Sequence, residues 1–415
     1  MIDLSRSSPS PSWRPWLIVL LSFLALSLVF STRAAVGLMM PIWEQDFGWT
    51  RSFTSGTAAT ALIVMAILAP LAGRLVDKHG SRAVTLFGLG ALAVGCFLVA
   101  STSNAVLFFI AFGGISAIGF GLVATHTVST TVEQEFERNK GIATGIATSG
   151  SSGGQLLIVP LIAVLVTLMS WRWSFVFLGS ATVLMIACVY FFFPTSKPRV
   201  HSPNADIAAT GTWVQDLVFI LKKPAFQILF WSYAICGYTT SGVIETHLIP
   251  YASICGFGPI PSATAYGVLS AVNLGGMILA GWLTDRVNRP MLLGGIYLIR
   301  GITFLILINV GTSFETLLFF SVLFGLVDYS TVPVTASLIA SHVGKGVMGF
   351  AFGLVSAGHQ LGAAAGAYLG GYLYDLYLQY DWVWWSSLWL AVFAGLMVFL
   401  LKDKVPEEAS ASPAQ

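Results

Sequence analysis

The apolar residues of this chain do not recur with the period of a surface helix or of a half-buried strand. They fill runs about as long as a bilayer is thick. A helix needs roughly 20 apolar residues to cross the hydrocarbon, and twelve runs meet that need, near 16–40, 54–72, 84–101, 105–130, 142–168, 173–193, 225–250, 262–284, 291–310, 315–340, 347–374 and 382–401. The strands of a membrane barrel would alternate apolar and polar residues over about 10 positions. These runs are apolar all round, so the pattern predicts an all-α membrane protein with twelve transmembrane helices.

The polar gaps repeat. Gly73-Arg74-Leu75-Val76-Asp77-Lys78-His79-Gly80-Ser81-Arg82 lies between the second and third runs, and Gly281-Trp282-Leu283-Thr284-Asp285-Arg286-Val287-Asn288-Arg289 lies between the eighth and ninth. Gly121-Leu122-Val123, Thr127, Val128 and Thr131 return as Gly325-Leu326-Val327, Thr331, Val332 and Thr335 at a constant offset of 204. Lys140-Gly141 and Gln155 return as Lys345-Gly346 and Gln360 at an offset of 205. The chain therefore reads as two pseudo-symmetric six-helix bundles, 1–194 and 224–415, joined by a polar linker, 195–223, within which Trp213 to Leu221 has helical spacing suited to the membrane surface.

Composition narrows the class further. With 56% apolar and 9% charged residues over 415 positions, one soluble core under a polar skin is excluded. The net charge of +2 carries a topology instead of a nucleic-acid footprint. With both termini placed in the cytoplasm, all of the 20 Lys and Arg except Arg51 and Arg172, outside, and Arg33 and Arg300, within helices, fall on the cytoplasmic side. The first run holds Arg33 and lacks a good cleavage site, so it is expected to be helix 1 and not a signal peptide. Cys96, Cys188, Cys236 and Cys255 have no metal-like spacing and read as packing residues. Tryptophans such as Trp13, Trp49, Trp171 and Trp385 cluster at run ends, as an interfacial belt requires.

The Gly-x-Leu-x-Asp-x-x-Gly-x-Arg pattern and its echo are similar to the signature of the major facilitator superfamily, a resemblance covering essentially the whole chain. It implies two bundles related by an axis along the membrane normal and a central site that opens to each side in turn. It also implies a conformational gate at Gly73, Asp77, Gly80 and Arg82 and at Gly281, Asp285 and Arg286. A narrower resemblance lies in Thr32-Arg33-Ala34-Ala35-Val36-Gly37-Leu38 with Phe47-Gly48-Trp49-Thr50-Arg51-Ser52, which looks like the monocarboxylate and oxalate/formate porter branch. By that resemblance Arg33 faces a transported carboxylate. Where the branch commonly has an arginine in helix 8, this chain has Met277, with Asn273 one turn earlier.

Ionisable residues inside apolar runs are costly and mark function by default. Arg33 is the leading candidate, because a guanidinium fork bonds both oxygens of a carboxylate at once. Gln155 and Gln360, at matched positions, together with Asn273 and Tyr329, are candidates to orient the ligand; interhelical bonding is the competing role for the two amides. Asp328, His359 and Glu245 are candidates for proton coupling, Glu245 as an outer acid or as a solvated residue near Pro250. Arg300 and Asp328, near the middle of helices 9 and 10, are expected to form an ion pair. Gly150-Ser151-Ser152-Gly153-Gly154 lacks the Gly-Lys-Ser/Thr of a phosphate loop and reads as a close-packing stretch.

The expectation is a secondary transporter of a small organic anion, monocarboxylate-like, by proton-coupled uptake or anion exchange across the cytoplasmic membrane. It would act as a monomer, with no cofactor, no metal, no nucleic-acid partner and no enzymatic activity. The alternatives are a carrier of a larger neutral or aromatic solute, vitamin-like uptake or drug export, and a receptor that binds without transporting.

Overall fold

The computed structural model describes residues 13–136, 140–193, 213–343 and 348–403. Twelve helical passes cross the bundle: α1 Arg14–Phe47, α2 Arg51–His79, α3 Ser81–Ser101, α4 105–135, α5 140–168, α6 Trp171–Phe192, α7 224–254, α8 Pro259–Thr284, α9 Arg289–Ile308, α10 Phe314–Val343, α11 Met348–Tyr377 and α12 Asp381–Phe399. Among the described residues, ten of these are long and apolar enough to count as membrane spans on length and composition alone. The other two are α7 and α11. A short helix, Trp213–Leu221, precedes α7. The remainder of the expected linker, 194–212, lies outside the described residues, as do Lys345, Gly346 and the side chains of Gly73 and Asp77.

Local chemistry sets the ends of the helices. Pro15 occupies the first turn of α1, where its missing N–H costs nothing, and Gly48 closes the helix in the left-handed region at φ 66°. The Thr50 hydroxyl then accepts from Phe53 N and starts α2. At 34 residues, α1 is about 50 Å long at 1.5 Å per residue and overshoots the hydrocarbon at its ends.

The duplicated segments bear on the packing in both halves. A Cβ on Gly121 would stand 2.9 Å from Leu68 Cβ, and one on Gly325 would stand 2.5 Å from the Leu269 carbonyl oxygen. Glycine thus lets α4 sit against α2 and α10 against α8. Immediately after each Gly-Leu-Val the helix breaks: α4 at Val123 and Ala124, α10 at Asp328, Tyr329 and Ser330. Two π-helical segments, Phe109–Ser116 in α4 and Tyr238–Ile244 in α7, have no counterpart in the other half. The glycine stretch in α5 serves packing, since a Cβ on Gly150 or Gly154 would overlap the α1 backbone at Phe23 or Ser27.

The two ends of the bundle differ. At the end remote from the termini, α2 of the first half packs closely on α11 of the second: Gly371 lies against the Arg51 backbone and the Ser55 hydroxyl. At the end bearing the termini, the walls separate around a cavity of about 550 Å³.

Candidate functional site

The cavity draws on both halves: Phe30 and Arg33 of α1, Met65 and Ala69 of α2, Thr148 and Ser151 of α5, Tyr233 and Ser241 of α7, Met277 of α8, Tyr329 of α10, and His359 and Gln360 of α11. On α2 and α11 these residues fall in the half nearer the termini, so the cavity opens to that side.

At its inner end, Arg33 meets Glu245. One Arg33 Nη2 stands 3.1 Å from Glu245 Oε2, with both side chains nearly buried at 10% and 9% exposure. Backbone geometry brings them together. Gly37, one turn beyond Arg33, lies so close to α7 that a Cβ would stand 2.9 Å from the Thr246 carbonyl oxygen. The second oxygen of Glu245 accepts from the Tyr329 hydroxyl at 2.5 Å and from the Ser241 hydroxyl at 3.1 Å. The carboxylate therefore has a positive fork on one side and two hydroxyl donors on the other, contributed by α1, α7 and α10. The sequence placed Arg33 and Glu245 in separate roles; the structure makes them one unit.

Tyr329 is set in place by the break in α10. Its backbone N donates to Asn273 Oδ1 at 3.2 Å, while Asn273 Nδ2 donates to the Ser152 hydroxyl at 3.3 Å, tying α10, α8 and α5 together. The break leaves the end of one helical segment with free carbonyls, and Arg300 takes them. Its Nη2 donates to the Val327 carbonyl at 2.6 Å and also to the Asp328 carbonyl, and its Nη1 donates to Cys236 Sγ at 3.0 Å. This corrects the expected ion pair. Arg300 is fully buried, yet among the described residues no salt bridge joins it to the Asp328 carboxylate, whose Oδ1 has no hydrogen-bond partner. A C-terminal helix end carries partial negative charge on its free carbonyls, which a guanidinium offsets.

The remaining candidates divide. His359 and Gln360 line the cavity with Arg33 and Tyr329. Asp328, Gln155 and Asn273 are buried behind its wall, and Glu245 is reached through Arg33. In the second signature loop, Asp285 and Arg286 are exposed, and Arg286 donates to Trp282 O of its own helix at 3.1 Å. In the first, Gly80 ends α2 at φ 83° and Arg82 donates to the Tyr190 carbonyl in its own half. These contacts stay within each half at the open end.

The closed end has a network that the sequence reading missed. The Asp375 carboxylate of α11 accepts from Arg51 N at 3.1 Å, from Ser52 N at 2.8 Å and from the Ser52 hydroxyl, capping the start of α2 from the other half. Arg51 bonds Glu44 at 3.0 Å and the Tyr380 hydroxyl at 3.0 Å, and lies 3.7 Å from the centre of the Tyr374 ring. His247 joins Tyr380 from α7 at 3.2 Å. The visible signal was Arg51 in a helix-starting Trp-Thr-Arg-Ser, with Asp375 one place beyond the end of its apolar run.

A bundle of twelve helices in two matched halves, closed at one end around a buried charged pair, is the architecture of a membrane carrier. The sequence profile of the Major Facilitator Superfamily matches residues 22–311 and 277–415, and the chain belongs to that family of transporters. It is similar to rat monocarboxylate transporter 13, 26% identical over 89% of this chain and 85% of that protein, and to human monocarboxylate transporter 11, 26% identical over 89% and 80%. It is also similar to the uncharacterized MFS-type transporter YcxA of Bacillus subtilis, 24% identical over 97% and 98%. Among solved structures the fold matches the inward-open xylose transporter XylE of E. coli with a TM-score of 0.74, at 16% identity over 94% of this chain and 97% of that one. It matches a bacterial homolog of the human lysosomal transporter Spinster, inward-facing and unoccupied, with a TM-score of 0.73, at 13% identity over 94% and 97%. The protein is thus a multi-pass membrane transporter and not an enzyme.

Proposed function

We propose that the protein carries a monocarboxylate together with a proton, and that the exchange of partners at Arg33 couples the two. The observation that carries this reading is the 3.1 Å pair between Arg33 and Glu245 on the cavity wall. In the empty carrier an internal carboxylate occupies the fork that a substrate carboxylate needs. A proton on Glu245 cancels its charge and releases the guanidinium, which then binds the anion through charge-assisted hydrogen bonds. The order is therefore proton first, anion second.

Charge balance makes the coupling strict. The empty carrier holds Arg33 against Glu245, and the loaded carrier holds Arg33 against the substrate with Glu245 neutral. Both sites are neutral. A proton alone leaves one buried positive charge and an anion alone leaves one negative charge, each costing several kcal/mol when unpaired in a low-dielectric interior. Only the empty and fully loaded forms pass readily between the inward-open and outward-open arrangements. The similarity to monocarboxylate transporters supports the acid as cargo.

The excess of Lys and Arg at the end bearing the termini supports a cytoplasmic position for that end, and hence a cavity open to the cytoplasm of a cell membrane. Because one chain supplies both members of the pair, a monomer is a sufficient working unit. Gly73, Asp77, Gly80, Arg82, Gly281, Asp285 and Arg286 are the residues we infer to form the cytoplasmic gate.

The test is uptake of labelled pyruvate and lactate into proteoliposomes under an imposed pH difference. Accumulation is expected with acid outside and is expected to vanish when the difference is collapsed. With Glu245→Gln, permanently neutral, anion exchange should persist while the pH difference ceases to drive accumulation. Anion uptake indifferent to pH in the unaltered protein, or selective binding of neutral solutes untouched by Arg33→Gln, would sink the proposal.

A further inference from the structure

The cavity is recognised at two points, and their separation limits the cargo. One point is Arg33, beside Glu245. The other is the wall formed by Tyr233, His359 and Gln360. Tyr233 and His359 are packed ring to ring at 4.9 Å, and both line the cavity. His359 is 6% exposed, and among the described residues its ring nitrogens meet no hydrogen-bonding partner. Gln360 Oε1 is a buried acceptor without a partner, on a side chain that also lines the cavity. A buried acceptor left without a donor is costly, so a donor on the cargo would gain at this wall what a purely apolar or short acid would not.

Helix α7 supplies the ruler. Glu245, which holds Arg33, and Gly237, whose Cβ would strike the His359 carbonyl oxygen, both lie on it. They are eight residues apart with the π-helical segment Tyr238–Ile244 between them, so at no more than about 1.5 Å per residue the levels of Glu245 and His359 are separated by on the order of 10 Å along the helix. A three-carbon acid, with C–C bonds of about 1.5 Å, is less than half that length. A carboxylate joined through a short spacer to an aromatic ring with a hydroxyl spans it, and the 550 Å³ cavity accepts such a molecule. The cavity wall is also apolar at Phe30, Met65, Met277 and Phe352, as a ring requires.

We propose that the preferred cargo is an elongated hydroxyaryl monocarboxylate, its carboxylate on Arg33, its ring against Tyr233 and His359, and its hydroxyl donating to Gln360 Oε1. This rests on the reading of Arg33 as the carboxylate site. The experiment compares pyruvate, 3-phenylpropionate and 3-(4-hydroxyphenyl)propionate by calorimetric binding to the purified full chain and by counterflow in proteoliposomes. In the unaltered protein the hydroxyaryl acid is expected to bind at least tenfold more tightly than pyruvate and severalfold more tightly than the phenyl acid. Gln360→Leu should erase the difference between the two aryl acids while leaving the phenyl acid unaffected, and Tyr233→Leu should weaken both aryl acids but not pyruvate. Equal affinity for all three acids, with binding lost in Arg33→Gln, would overturn the two-point cargo and leave the carboxylate site standing. Failure of every acid, with Arg33→Gln silent, would remove both. The ligand comparison in the unaltered protein decides the matter even where a variant fails to fold.

Discussion

Arg33 and Arg300 both lie within membrane-spanning helices of this bundle, and they are satisfied in opposite ways. Arg33 meets a carboxylate, a partner that a proton can neutralise and a substrate can replace. Arg300 meets two backbone carbonyls and a thiol, partners that neither a proton nor a ligand can remove. In the proposed mechanism the same side chain is thus an exchangeable contact in α1 and a fixed brace in α9. Burial of a charge marks importance, and the chemistry of its partner separates mechanism from architecture.

That contrast can be broken experimentally. The largest expected effect is on stability: Arg300→Met leaves the end of the broken α10 segment uncapped, with two buried carbonyls that each cost about 1–3 kcal/mol when left without a donor. A thermal unfolding midpoint unchanged by that substitution would show that the brace is unnecessary. Next comes Arg33→Gln, for which uptake should fall by about one to two orders of magnitude, the worth of one charge-assisted contact of about 1.5–3 kcal/mol, while the unfolding midpoint moves less than for Arg300→Met. If both variants lose stability equally, the distinction fails. Asn273→Ala removes the acceptor that holds Tyr329 N, a loss of about 1–2 kcal/mol, and should weaken acid binding severalfold without abolishing it; unchanged binding would free Tyr329 from any dependence on α8. The smallest effect belongs to the closed end. Asp375→Asn removes a negative charge from the start of α2, worth about 0.3–1 kcal/mol, so accessibility of a cysteine placed at Gly56 to a membrane-impermeant thiol reagent applied from the remote side should rise by about twofold to fivefold.

The architecture was legible because lipid leaves few solutions: long apolar runs must be helices, and the 204-residue offset exposed the duplication. Arg33 was legible as a lone charge in an apolar run. Its partner was not, because 212 residues separate it from Glu245 and sequence spacing has no bearing on which helices touch. The mistaken pairing of Arg300 with the Asp328 carboxylate has a definite origin. Pro333 lacks the N–H that would bond the Tyr329 carbonyl and fits best in the first turn of a new helix, which begins at Thr331. It therefore announced a break in α10, and free carbonyls for Arg300, in plain view. The network of Arg51 and Asp375 was harder to see, since a helix capped from another helix leaves no local motif.

The Arg33–Glu245 pair has an electrical consequence. A membrane potential of 100 mV acts on each uncompensated charge with about 2.3 kcal/mol. A carrier that crosses only with this site balanced, empty or loaded, moves no net charge and so takes no work from the voltage. Its cargo would accumulate about tenfold for each unit of pH difference, the ratio set by about 1.4 kcal/mol, and would stop there in polarised and depolarised membranes alike.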